Sequence, residues 1–110
     1  MFSIRKLDLY LAAIRADYAA FKARSPYSND QVQQEMIAEF NAGLRYEIGS
    51  RYVKVIAGNS VHSFICMTDM GKFCKGDILK AASWKAPAKN KARGNVVLRD
   101  YPTVQWTGVH

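Results

Sequence analysis

This sequence predicts an α+β fold: an amino-terminal antiparallel helix pair packed on a mostly antiparallel sheet of about five short strands. Two observations carry that prediction. Apolar residues recur every three or four positions as far as Leu44, and beyond Gly49 they give way to short β-branched and aromatic runs broken by Gly, Asn and Pro. A chain of 110 residues with 49% hydrophobic and 23% charged residues has the size and composition of one folded domain. Its helical hairpin is expected at 1–48 and its β-rich part at 49–110.

Ile4, Leu7, Leu11, Ile14, Tyr18 and Phe21 fall on one stripe of a helix over about residues 4–24, which Ser25-Pro26 would stop. A coiled-coil seam fits this stripe less well than packing on the protein's own core, because the last positions are Tyr and Phe. Ser28 to Gln31, "SNDQ", has the form of a capping box and predicts a second helix start. Val32, Met36, Ile37, Phe40 and Leu44 mark that helix's apolar face, and Gly43 or Gly49 its end. "RYVKVIA" and "SVHSFICM" flank Gly58-Asn59, a pair suited to a tight hairpin turn. A regular ladder from a two-residue turn sets Ile56 opposite Val61, Val55 opposite His62, Val53 opposite Phe64 and Tyr52 opposite Ile65. Both faces of this hairpin carry apolar side chains, so cover is expected on both, helices on one side and more sheet on the other. "TDMGKFCKGD" reads as a turn-rich connection, "DILKAA", "NVVLR" and "TVQWT" as further short strands, and Asp100-Tyr101-Pro102 as the last turn.

Charge is unevenly spread. Residues 1–71 hold eight Lys/Arg against seven Asp/Glu, whereas Lys72, Lys75, Lys80, Lys85, Lys89, Lys91, Arg93 and Arg99 face only Asp77 within 72–99. That segment alone matches the net charge of the whole chain, +7. Like charges at this density repel one another, so an external polyanion is the natural counterpart. Nucleic acid, DNA or RNA, is the first candidate partner and an acidic protein surface the second. Trp84 beside Lys85 offers a ring for base stacking, and Arg93 with the amides near Gly94 offers a phosphate contact. If about five of these cations met duplex DNA, log affinity would fall with log salt at a slope of roughly −4.5.

Catalytic and metal chemistry find little support. Cys66 and Cys74 are too loosely spaced for a CxxC motif and are expected as reduced thiols. His62 would share a face with Cys66 on a regular strand, but only Asp69 stands near as an orienting acid. No phosphate-binding glycine loop, zinc-protease motif or paired carboxylates occur. A non-enzymatic protein without cofactor or metal is the expectation. The longest apolar run near the amino terminus, Leu9 to Ile14, falls far short of the ~20 residues of a membrane span, and Asp8 and Asp17 interrupt any signal-peptide core. A cytoplasmic setting without membrane contact is therefore expected.

"KFCKGDILKAASWKAPAKNKARGNV", Lys72 to Val96, with "SVHSFI" before it and "VQWTG" after it, resembles small proteins encoded by tailed bacteriophages over about residues 45–108. The resemblance implies a bacterial host cytoplasm and carries over no catalytic residue. It keeps two classes of function in view: nucleic-acid binding, and docking on a host protein so as to inhibit or redirect it.

Overall fold

The computed structural model describes residues 2–24 and 30–110. Helix α1 spans Ile4–Ala23 and α2 spans Asp30–Gly43; strands β1 (Leu44–Ile48), β2 (Tyr52–Ala57), β3 (Ser60–Cys66) and β4 (Ile78–Lys80) follow, then β5 (Val104–Gln105) and β6 (Gly108–Val109). The first four strands form an antiparallel sheet in sequential order, and β5 pairs with β6 in a separate two-stranded sheet. The fold is α+β.

Periodicity places α1 well. Leu7, Leu11, Ile14 and Tyr18 are buried, joined by Tyr10, while the stripe's ends Ile4 and Phe21 are exposed. Ser3 caps the helix by accepting from the Lys6 amide. The proposed stop at Ser25-Pro26 and the Ser28 half of the capping box lie outside the described residues. The helices run antiparallel, since Gln33 Nε2 donates to the Lys22 carbonyl near one end and Arg15 Nη2 to the Leu44 carbonyl near the other. Between them Tyr18 and Phe40 stack with centroids 4.2 Å apart. The second helix ends at Gly43, and Leu44 belongs to β1 rather than to the helix face. No strand was expected there, although Leu44, Tyr46 and Ile48 alternate with Arg45 and Glu47 as a strand requires.

The hairpin of β2 and β3 turns at Gly58-Asn59, where Gly58 has φ 62. Its register departs from the regular ladder after one correct pair. Ile56 lies opposite Val61, but a bulge then leaves His62 unpaired, so that Val55 faces Ser63, Lys54 faces Phe64 and Val53 faces Ile65. The bulge has a polar cause. His62 and Ser63 are both buried, with Tyr10 Oη 2.8 Å from Ser63 Oγ, Ser63 Oγ 2.9 Å from His62 Nδ1 and His62 Nε2 2.7 Å from the Gln105 carbonyl. A buried imidazole and hydroxyl need these partners, and a regular strand would turn them to opposite faces.

The slip sorts the sheet into two sides. Val53, Val55, Ile65 and Ile78 join α1 residues, Val96 and Val109 in the main core. Phe64, Cys66 and Leu79 point the other way and pack with Phe73. His62 and Cys66 therefore lie on opposite faces, not together. The second face is covered by connecting loops, not by the additional sheet expected.

"NVVLR" is a turn, not a strand. Asn95 Oδ1 accepts from the Val97 and Leu98 amides, and the Asn95 and Asp100 backbones exchange both hydrogen bonds, closing a loop that leaves Leu98 exposed. The turn expected at Asp100-Tyr101-Pro102 falls at residues 102–103, and a further turn at 106–107 breaks the expected strand "TVQWT" between β5 and β6. Among the described residues no helix is long and apolar enough to cross a membrane.

Candidate functional site

On the sheet face turned away from α1, the register sets Glu47, Lys54, Phe64 and Leu79 side by side across the four strands. Two borders rise above this row. One is the β1–β2 turn with Gly49, Ser50 and Arg51; the other is the loop 81–87 after β4. Between them lies a depression of about 290 Å3 floored by Lys54, Phe64 and Tyr52 and edged by Lys85. A second depression, of about 500 Å3, begins at Ser50, Arg51 and Tyr52 and runs past Gly71 to Lys89. The two adjoin at those three residues, and the cations lining this paired groove are Arg51, Lys54, Lys85 and Lys89.

The loop that forms one border is held by its own backbone. Ala81 bridges Pro87, the Ala88 amide donates to the Lys80 carbonyl, and the Ala82 and Ser83 amides both donate to the Ala86 carbonyl. Ser83 Oγ accepts from the Lys85 and Ala86 amides, a Ser-centred turn that sends Trp84 outward at the tip. Trp84 is 46% exposed. Although its loop leaves from β4, the ring meets a side chain from β2: Lys54 Nζ, extended toward Phe64, lies 4.8 Å from the indole centroid. Among the described residues, none of the four groove cations has an ion-pair partner. Glu47 and Asp69 also line the groove, but Asp69 Oδ1 is engaged by the Lys75 amide.

Of the residues singled out by sequence, Lys85 and Lys89 line this groove, and Trp84 stands beside it through its contact with Lys54. Lys72 is exposed close by, its Nζ on the Asn90 carbonyl and 5.2 Å from the Phe73 ring centroid. Lys80 does not join: it pairs with Ser63, whose hydroxyl meets Tyr10, so its side chain leaves the sheet on the α1 side. Lys91 and Arg93 line a separate depression of about 270 Å3 with Thr103 and His110. Arg93 is committed within the fold, Nη1 donating to the His110 carbonyl and Nη2 to Asn90 Oδ1. Gly94 is equally occupied. At φ 148 its backbone is approached so closely by Asp100 and Tyr101 that a Cβ would lie 2.5 Å from the Asp100 carbonyl, which leaves no room for a phosphate. Lys75 and Arg99 are exposed near the Asn95 turn, where Asn95 Nδ2 donates to the Lys75 carbonyl.

Arg51 and Lys54 escaped sequence reasoning because they sit in the nearly neutral first 71 residues. The signal that finds them is the register: once Lys54 faces Phe64, it must project onto the face away from α1, where it meets Trp84.

Burial pushes the Cys66 thiol up to about 11, with the Asp77 and Cys74 charges adding to the effect, so it stays protonated at neutral pH. Cys74 is exposed and both thiols are free. Burial holds the His62 imidazole below its usual range; the Gln105 hydrogen bond opposes this and the charge of His110 reinforces it. The neutral ring must then donate from Nε2 to the Gln105 carbonyl and accept at Nδ1 from Ser63, which in turn accepts from Tyr10. Ser63 is fully buried, so this chain of hydroxyls and imidazole reaches no substrate through it. Among the described residues no cluster of His, Cys, Asp and Glu is placed to hold a metal ion.

A wider cleft of about 540 Å3 opens at the other side of the molecule between α2, the β2–β3 turn and Trp106. Three aromatic side chains form one part of its wall, where Trp106 packs edge-on against both Tyr18 and Phe40. No curated protein and no solved structure matches the chain. A family model described as a family of unknown function matches residues 6–109, nearly the whole length over which helices, sheet and groove are built, and the chain thus belongs to that family, DUF7717.

Proposed function

We propose that this protein is a small non-enzymatic module that binds nucleic acid, holding phosphates along the groove between the β1–β2 turn and loop 81–87. One observation carries the reading. Arg51, Lys54, Lys85 and Lys89 line a single groove without ion-pair partners, beside a tryptophan that the fold holds outward. Such cations gain little from the protein itself and much from releasing the counterions of a polyphosphate. Lys72 extends the positive border, and the remaining exposed lysines strengthen the long-range field.

Fluorescence anisotropy with labelled oligonucleotides at low and moderate salt tests this. The combined variant R51A/K54A/K85A/K89A is expected to lose about a hundredfold or more in affinity. Lys80→Ala, on the other face, is expected to stay close to the parent. Absence of oligonucleotide binding at low salt would reject the reading. If a bacterial protein were then retained through nuclease treatment, an acidic protein surface would become the groove's partner, as a phage-encoded protein acting on its host would require.

A further inference from the structure

We propose that the groove selects single strands over duplex, with one base stacked on the Trp84 indole in the place now taken by the Lys54 ammonium. This rests on the nucleic-acid reading above and adds the form of the ligand.

Three observations support it. The backbone that carries Trp84 is braced before any ligand arrives, because the Ala81–Pro87 bridge and the Ser83 turn hold the loop whose tip it forms. An exposed aromatic on a restrained loop loses little freedom when a base covers it, which is what a stacking platform needs. Next, the ring's present neighbour is a cation. Lys54 Nζ, 4.8 Å from the ring centroid, is displaced by an incoming base and is then free to meet the phosphate attached to that base. Stacking and charge pairing thus occur in one exchange. Finally, the receiving surface is concave and of nucleotide size, about 290 Å3 on the Lys85 side and 500 Å3 on the Lys89 side, joined at Tyr52. Tyr52 rests edge-on against Phe64 with centroids 5.9 Å apart and lines both halves, giving the strand a second ring at the junction. A duplex keeps its base faces inside the stack and is read by elements that protrude into its grooves, so neither ring would serve it.

The test compares an oligothymidine of about twelve nucleotides, within the usual site size for single strands, with a duplex of the same length. Single-strand affinity is expected to exceed duplex affinity by about tenfold or more, as for platforms of this kind. Trp84→Ala should lower single-strand affinity about tenfold and leave duplex affinity unchanged, while Trp84→Phe keeps most of it. In Trp106→Phe, where Trp84 is the remaining indole, oligothymidine should quench the emission. Anisotropy of the Trp84 variants needs no indole reporter, so the result does not depend on how Trp106→Phe folds. Equal binding of both forms, insensitive to Trp84 but abolished by R51A/K54A/K85A/K89A, would overturn the single-strand proposal and leave the nucleic-acid reading intact. Binding of neither form by the parent protein would remove both.

Discussion

Asn95 uses one side chain where a strand would have needed a neighbour. Its carbonyl oxygen holds two amides ahead of it and its amide nitrogen holds the Lys75 carbonyl and Asp77 Oδ1, in a position only 8% exposed. Asn95→Ala should therefore cost about 2–4 kcal/mol, the penalty for stranding several partly buried polar groups, measurable by urea unfolding. The β-rich composition of 95–99 gave a misleading strand because Asn competes with sheet ladders through just such local bonds. His62 shows a different limit. Its partners Tyr10 and Gln105 lie far off in the chain, so nothing local announces the bulge. Because the folded imidazole titrates below 6.5 and the unfolded one near it, the unfolded chain binds the extra proton as pH falls. Stability is thus complete above about pH 6.5 and declines below it, with a slope approaching 1.4 kcal/mol per pH unit for one such group. Denaturant midpoints measured across that range should show this decline, and His62→Gln should remove its contribution.

At the level of elements, α1 was legible because its stripe is long and regular, whereas β1 was not, because it follows α2 without a linker and Leu44 continues the helical spacing. The α2 helix itself is lightly held. None of Gln31 to Gly43 is fully buried; the stack of Phe40 on Tyr18 and the Gln33 and Arg15 hydrogen bonds tie it down. Phe40→Ala should cost about 2–3 kcal/mol, below the range for a fully buried Phe. In hydrogen exchange the amides of 30–43 should then exchange much faster while those of β2 and β3 keep their protection. If the sheet lost protection equally, α2 would have to be counted as part of one cooperative unit with it. Loop 81–87 lies at the other extreme, short, exposed and yet braced, and its Ser-Trp-Lys-Ala run was visible as a feature but not as a border of a groove.

For the whole molecule, segmental charge was readable and its spatial arrangement was not. Antiparallel pairing brings Arg51 and Lys54 to Lys85 and Lys89, and the same pairing sends Lys80 to the opposite side. With four groove cations on a single strand, the logarithm of affinity should fall against log salt with a slope of about −2.8, shallower than the duplex figure that counting the basic segment suggests. A titration across salt concentrations checks it, and a slope near zero would mean the cations stand apart from the ligand. The molecule measures 48 × 25 × 24 Å, and on the sheet face turned away from the helices the covering loops leave an opening over Lys54 and Tyr52. Which residues enjoy that openness is decided by the bulge. By absorbing His62, it sets Val55 opposite Ser63 and Val53 opposite Ile65, toward the interior, and Lys54 opposite Phe64, toward the groove. Evolutionary drift over residues 52–55 would consequently meet two unrelated demands by turns, interior shape at one position and groove lining at the next, until the slip at Val55 and Ile56 encloses two neighbours in a row.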